Sequence, residues 1–258
     1  MIKFKADTHQ YFTRDDKELI SVSAFVERFE PHKDWGPIAA KWGKKNGMTK
    51  QEVLDLWERK KVKGQEAGTT LHDMRESKLL GKEYFEFGKE KLKHKSCSVE
   101  NGFKWALPVS EVENGVVYPE FMIYDIEHMI CGQSDKVIVE NNRIHIYDYK
   151  TDKEIEFKAY SNPFQKAEKL LPPVQHLDNC NGNIYSLKMS LYMYLLCKAN
   201  AGRMKPGTII LEWCPLERDE EGFPILYDGK PKVKMEKQIE LPYRKKEVID
   251  MLKTLKTN

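Results

Sequence analysis

Met129-Ile-Cys-Gly-Gln-Ser-Asp-Lys-Val-Ile-Val-Glu-Asn-Asn-Arg-Ile-His-Ile-Tyr-Asp-Tyr-Lys-Thr151 is the stretch on which the fold turns. It reads as a β-hairpin. Val137 and Val139 alternate with Lys136 and Ile138 on the first strand, and Ile144 and Ile146 alternate on the return strand. Asn141-Asn142 supplies two residues that tolerate the left-handed conformation of a tight turn. A period of two places Asp135 on the face of Val137 and Val139, and Asp148 and Lys150 on the face of Ile144 and Ile146. The start of one strand then lies beside the end of the other. Asp135, Asp148 and Lys150 therefore meet at one end of a mostly apolar pair.

Two carboxylates and an ammonium in that position have a chemical use. Carboxylate oxygens ligate Mg²⁺, which takes one or two of them and keeps waters and substrate phosphate for its other positions. A lysine at their side orients an attacking water or steadies negative charge in a transition state. The same three residues also read as a salt-bridged strand end.

Around the hairpin, residues 1–30 read as a strand or two followed by a helix, with Ser23 as its N-cap ahead of Ala24–Phe29. Residues 33–95 read as predominantly helical. Pro37 opens one helix that stops near Gly47, and Thr49 with Glu52 forms a capping box for the next. The basic run Arg59-Lys60-Lys61-Val62-Lys63 reads as the end of that second helix, where cations suit the dipole. Thr69 or Thr70 then caps a third, with His72 and Glu76 one turn apart on one face. Residues 98–128 read as β-rich, with Asp125–His128 as a turn before the hairpin. Residues 152–183 loosen around Phe157, Tyr160, Pro163, Phe164 and Pro172-Pro173, a pattern that suits a lid over substrate or a loop packed on the sheet. Asn183–Lys198 is the clearest helix, striped by Ile184, Leu187, Leu191, Leu195 and Leu196. A buried strand at Thr208–Cys214, a strand at Val233–Leu241 and an amphipathic helix at Arg244–Leu255 complete the chain.

The 258 residues are enough for one large domain, and no repeat or clear linker divides them. With a formal net charge of +3, no global field draws the chain to nucleic acid, so any such surface must be local. No apolar run reaches the length of a membrane span and the N-terminus has no signal-peptide core, which gives an intracellular, cytoplasmic expectation. The five cysteines are widely spaced without a C-x-x-C, which excludes a zinc ribbon and a disulfide framework.

Gly132-Gln133-Ser134-Asp135 followed by Asp148-Tyr149-Lys150-Thr151 resembles the PD-(D/E)XK nuclease superfamily, with its G-x-x-D strand and D-x-K-T. The likeness is to the RecB-like and phage-exonuclease branch, including the mitochondrial genome maintenance exonuclease type. Three further pieces occur in family order: the opening His9-x-Tyr11 with Ser21-Val22-Ser23, the helix-borne Gly68-Thr69-x-x-His72, and Tyr185-Ser186-Leu187-Lys188-x-x-x-Tyr192. The last departs from the family at Lys188, where glutamine is usual, so glutamine's paired donor and acceptor are lost. The four-cysteine spacing of the iron–sulfur relatives is missing.

The resemblance implies an α/β, restriction-endonuclease-like core, a central mixed sheet flanked by helices, with a helical N-terminal region. It implies Mg²⁺- or Mn²⁺-dependent hydrolysis of DNA phosphodiesters, by an exonuclease in a phage replication or recombination setting. Asp135 and Asp148 would hold metal with His72, the backbone carbonyl of Tyr149 and Glu120, and Lys150 would stabilise charge. Glu76, Thr151, Lys188 and Tyr192 would contact DNA or support the site, although Glu76 could equally pair with Arg75 or Lys78. The DNA partner would be a single strand or a duplex end. A structure-selective endonuclease, or a nucleic-acid-binding protein with a decayed site, would share these features.

Overall fold

A computed structural model describes residues 2–161 and 166–257. Pro163 and Phe164 lie outside the described residues. In chain order the elements are β1 (Ile2–Lys5), β2 (Gln10–Thr13), β3 (Glu18–Ser21), α1 (Val22–Glu27), α2 (Trp35–Asn46) and α3 (Lys50–Leu80). Next come β4 (Phe85–Phe87), β5 (Glu90–His94), β6 (Ser98–Glu100), β7 (Phe103–Trp105), β8 (Val116–Asp125), β9 (Ile130–Glu140) and β10 (Arg143–Lys150). The chain closes with α4 (Asn181–Ala199), β11 (Lys205–Trp213), β12 (Leu226–Tyr227), β13 (Lys230–Pro231), β14 (Lys237–Glu240) and α5 (Lys245–Lys253).

The architecture is mixed α/β: a large mixed sheet flanked by helices. Strands β8, β9 and β10 run antiparallel in sequence order. The connection through α4 then returns the chain to add β11 parallel to β10. A crossover of that length is what a parallel pairing requires. The main core lies between this sheet and α1, α4 and α5, with Val137, Val139, Ile144 and Ile146 on the sheet side and Leu187, Leu191 and Leu195 on α4. The hairpin forms in the expected register, with Ile144 opposite Val139 and Ile146 opposite Val137, and both turn asparagines have positive φ.

Several boundaries differ from expectation. The first helix is capped by Ser21, not Ser23: Ser21 ends β3 in an extended conformation, and its Oγ accepts from the Ala24 amide at 3.0 Å. Three strands precede it rather than one or two. Beyond the Thr49–Glu52 capping box, which forms as expected, one helix of 31 residues replaces the two read from sequence. The basic run is mid-helix, and Thr70 caps nothing, since its hydroxyl donates back to the Glu66 carbonyl at 3.0 Å. Gly64 and Gly68 resemble a break, but each costs a helix only about 1 kcal/mol. Residues 85–94 are strands, not helix, because Phe85 and Leu92 pack with Val117, Ile138 and Tyr147 on the sheet face away from the main core. The strand expected over Val233–Leu241 is confined to Lys237–Glu240, and α4 begins two residues early. In its described residues, 152–183 packs into the core through Leu170, Val174 and Leu177 rather than arching as a lid.

Candidate active site

The site lies where the sheet forks. Along one edge β9 pairs with β10 from Glu140 to Lys136, then with β3 at Ile130 and Cys131. The four residues between, Gly132-Gln133-Ser134-Asp135, have no strand partner on that edge, while β8 continues along the other. Side chains take over the lost ladder. Asp135 Oδ2 accepts from the Tyr149 amide at 2.5 Å, and Ser134 Oγ donates to the Tyr147 carbonyl at 3.3 Å. A cavity of about 310 Å³ opens in the fork, and Glu120, Asp135, Asp148, Lys150, His72 and Lys188 are among the residues lining it.

Within that cavity His72, Glu120 and Asp135 present ligand atoms that all lie within 4.8 Å of one another. His72 Nδ1 sits 3.2 Å from Asp135 Oδ1. Gln133 Nε2 donates to Glu120 Oε2 at 2.5 Å. Glu120 holds a left-handed backbone, φ 45°, in the middle of β8, a conformation costing a non-glycine residue about 1–3 kcal/mol. The inward alternation of β8 slips by one there: Val116 and Tyr118 face the main core before it, Phe121 and Ile123 after it. The register with β9 is unchanged across the slip, from Pro119 opposite Lys136 to Phe121 opposite Ser134, so the left-handed backbone alone re-aims the side chain, here a carboxylate beside two other ligand groups. Asp148 is outside this close set, and its carboxylate is ion-paired with Lys150. Lys150 Nζ also donates to the Tyr149 carbonyl at 3.1 Å, which occupies one of that oxygen's two lone pairs.

Burial sets the protonation of the cluster, modified by its neighbours. Glu120 is pushed up to about 8, by desolvation first and the Asp135 charge second. Burial and the Asp135 charge also raise Asp148, against the pull of Lys150. For Asp135 burial is outweighed by the His72 hydrogen bond and charge and by Lys150, so its carboxyl is held below the usual range. His72 is raised: burial works against its charged form, but Asp135 wins. Lys150 is likewise raised, because Asp148 and Asp135 outweigh desolvation. Burial and the Asp135 charge thus hold Glu120 and Asp148 up even with Lys150 and His72 beside them. Carboxylate oxygens with one imidazole are donors that suit Mg²⁺ or Mn²⁺.

Helix α4 supplies the opposite wall. Tyr192 is buried against β9 at Gly132, where an added Cβ would lie 2.6 Å from its Oη, 2.7 Å from its Cε1 and 2.9 Å from Val22 Cβ. The glycine of the G-x-x-D run is thus a close-approach residue. Tyr185 donates to Asp152 Oδ2 at 2.8 Å and lies under Lys150 Nζ, 5.1 Å from the ring centroid. Lys188 is half-buried in the same cavity, and burial and the Lys150 charge lower its pKa. It forms no ion pair or hydrogen bond among the described residues.

A second cavity, about 550 Å³, shares His72, Glu120 and His9 with the first and runs along α3. Its lining is mixed in charge: Lys60, Lys61, Lys104 and Arg218 stand with Asp73, Glu76, Glu120 and Asp152, and Thr151 also reaches it. Glu76 pairs with neither Arg75 nor Lys78 among the described residues; Arg75 is engaged by Glu236 at 2.6 Å and stacks on Tyr149 at 4.6 Å. Sequence reasoning missed Gln133 and Tyr185. Gln133 was detectable, since two residues before Asp135 on a strand is the same face. Tyr185 was quoted only as part of a motif.

No family model matches the chain, and no curated protein matches it significantly. Among solved structures it is similar to the crystal structure of SSO0001, at 13% identity over 93% of this chain and 76% of that one. The TM-score is 0.30, and a likeness at that level carries no argument. Among the described residues no helix is long and apolar enough to cross a membrane.

Proposed function

We propose that this chain is a divalent-metal-dependent deoxyribonuclease with a restriction-endonuclease-like core, acting on DNA that has an end. The observation that carries the reading is the convergence of His72, Glu120 and Asp135 beside the Asp148–Lys150 pair, in a fork that opens onto a groove carrying Lys60, Lys61, Lys104 and Arg218 among its lining residues. A mixed sheet with flanking helices is compatible with such a core.

His72, Glu120 and Asp135 would hold the ion, with Asp148 and the second lone pair of the Tyr149 carbonyl as its remaining protein donors. A bound Mg²⁺ or Mn²⁺ supplies Lewis-acid charge against the phosphate. Lys150, ion-paired with Asp148 and raised in pKa by Asp148 and Asp135, would serve as a cationic donor to the developing negative charge. Lys188, half-buried and without an ion pair among the described residues, offers a second positive charge to a phosphate in the cavity. Tyr192 and Gly132 close the wall behind Asp135 and keep bulk water from that side. Lys60, Lys61 and Arg218 lie along the groove where a DNA backbone would approach.

Degradation of end-labelled linear DNA with Mg²⁺ and with EDTA tests the reading; loss of label only with Mg²⁺ is expected. One observation favours a second reading, a structure-selective endonuclease: the described part of 152–183 packs into the core through Leu170, Val174 and Leu177. Closed single-stranded circles compared with the same molecule linearised separate the two. Equal degradation of both would establish internal cutting.

A further inference from the structure

Helix α2 carries an aromatic cluster that the cleavage chemistry does not use. Trp35 is 51% exposed and Trp42 38% exposed, and both pack edge-on against the half-buried Trp57 of α3, with centroids 5.9 and 6.3 Å away. Three tryptophans, two of them open to solvent, are more apolar area than a helix pair needs to leave uncovered. The α2 side of the cluster is cationic, while the α3 turn that bears Trp57 adds Glu52, Asp55 and Glu58, which are engaged by Thr49, Gln51 and Lys61. Residues 33–50 contain five lysines and one acidic residue, Asp34, which is occupied as the N-cap of α2. None of the five lysines forms an ion pair among the described residues. Lys33 Nζ lies 4.7 Å above the Trp35 ring, and Lys50 Nζ lies 2.9 Å from where a Cβ on Gly36 would stand.

Solvent-exposed indoles beside lysines without an ion pair among the described residues match the requirements of single-stranded nucleic acid, in which bases stack on rings while cations track phosphates. Duplex DNA hides its base faces and fits the cluster poorly. Helix α3 links this cluster to the carboxylates. Trp57, Lys61, Gly64, Gly68 and His72 follow one another at steps of three or four residues, so they share one side of a continuous helix. The last four of these line the groove along α3. Fifteen residues at 1.5 Å separate Trp57 from His72 by about 22 Å, which is roughly six nucleotides at B-form spacing.

We propose that Trp35, Trp42 and Trp57 form a base-stacking platform for single-stranded DNA, holding a strand whose backbone runs along α3 to the carboxylate cluster. The platform stands on the tryptophan cluster and its lysines; only the direction of the strand rests on the cleavage reading. The test uses the full chain in EDTA, where no cleavage occurs, and an oligothymidylate of about 20 nucleotides. Binding is expected to quench the tryptophan emission of the wild-type chain. The Trp35→Ala/Trp42→Ala variant is expected to bind at least tenfold more weakly, as loss of a base–ring stack requires. Should the double variant fail to fold, the wild-type quenching and a Lys33→Gln/Lys50→Gln variant, expected to bind more weakly with a shallower salt dependence, take its place. Unquenched wild-type emission at saturation, equal affinity of wild type and variant, or binding to anionic vesicles without binding to the oligonucleotide would each overturn the platform. Tryptophan-dependent binding by a chain that never cuts DNA in Mg²⁺ would leave the platform standing and remove the nuclease reading. Cutting with tryptophan-independent binding would do the reverse.

Discussion

Replacing Gly132 by alanine puts the packing of the site to a quantitative test. The added Cβ would sit 2.6 Å from Tyr192 Oη, 2.7 Å from Tyr192 Cε1 and 2.9 Å from Val22 Cβ. Carbon atoms in contact normally keep about 3.5–4.0 Å, so ring and strand must part by roughly 1 Å. Neither neighbour yields easily. The Tyr192 ring is buried, and Val22 Cβ is fixed to the first residue of α1. Overpacking of this kind costs about 1–3 kcal/mol, while the lower chain entropy of alanine in the unfolded state returns only about 0.4–1 kcal/mol. A net loss of about 1–2 kcal/mol is expected. With an unfolding entropy of about 2.1 cal/mol/K per residue, 258 residues turn that into a fall in Tm of roughly 2–4 °C. Scanning calorimetry on wild type, Gly132→Ala, Tyr192→Leu and the double variant forms a cycle. Relief of the strain when the ring is removed is expected as a coupling of 0.5 kcal/mol or more. A Gly132→Ala chain that melts within 1 °C of wild type, with no coupling to Tyr192, would refute the close-approach role of the glycine.

Three further outcomes are expected. Asp148→Asn should abolish cleavage while DNA binding survives, because affinity comes mostly from phosphate contacts elsewhere; cleavage within about tenfold of wild type would remove Asp148 from the chemistry. Lys150→Ala should cost roughly 10²-fold or more in single-turnover rate, in line with loss of an electrostatic stabiliser, with little change in calorimetric Mn²⁺ affinity. A collapse of metal binding alone would make Lys150 an organiser of carboxylates. Asp125, where burial is outweighed by Lys198 at 2.8 Å and His128 at 2.7 Å, titrates below its ordinary range. A depressed carboxyl stabilises the fold above its unfolded value, about 3.9, and loses that contribution as pH falls through the folded value. In urea unfolding, wild type should therefore lose stability below about pH 4 more steeply than Asp125→Asn, and parallel pH profiles would contradict the assignment.

The hairpin was legible because alternation, turn asparagines and face-sharing are all local properties of residues 129–151. Capping at Thr49 with Glu52 was legible for the same reason. What the sequence hid is non-local. Gly64 and Gly68 look like a break, yet Ala67 and Leu71 pack with Cys214 and Leu216 and carry α3 through them. The fork at Gly132–Asp135 depends on β3, more than a hundred residues earlier, taking the place of β10 along β9. Glu120 was placed on its strand correctly, but its left-handed backbone and its contact with Gln133 have no signature in a string of letters. Leu170, Val174 and Leu177 sit among breakers and polar residues, so their insertion into the core read equally as a lid.

Cleavage of a 5′-labelled linear single-stranded DNA, followed side by side in Mg²⁺ and in EDTA for the wild-type chain and an Asp135→Asn variant, tests the central claim most directly. Asp135 joins His72, the Tyr149 amide and the Glu120 carboxylate at one point, so its charge should be indispensable. The expected result is label release by wild type in Mg²⁺ only, with the variant reduced by at least 10³-fold at unchanged oligonucleotide affinity. Wild-type chain that leaves the DNA intact in both Mg²⁺ and Mn²⁺, or a variant as active as wild type, would contradict the account.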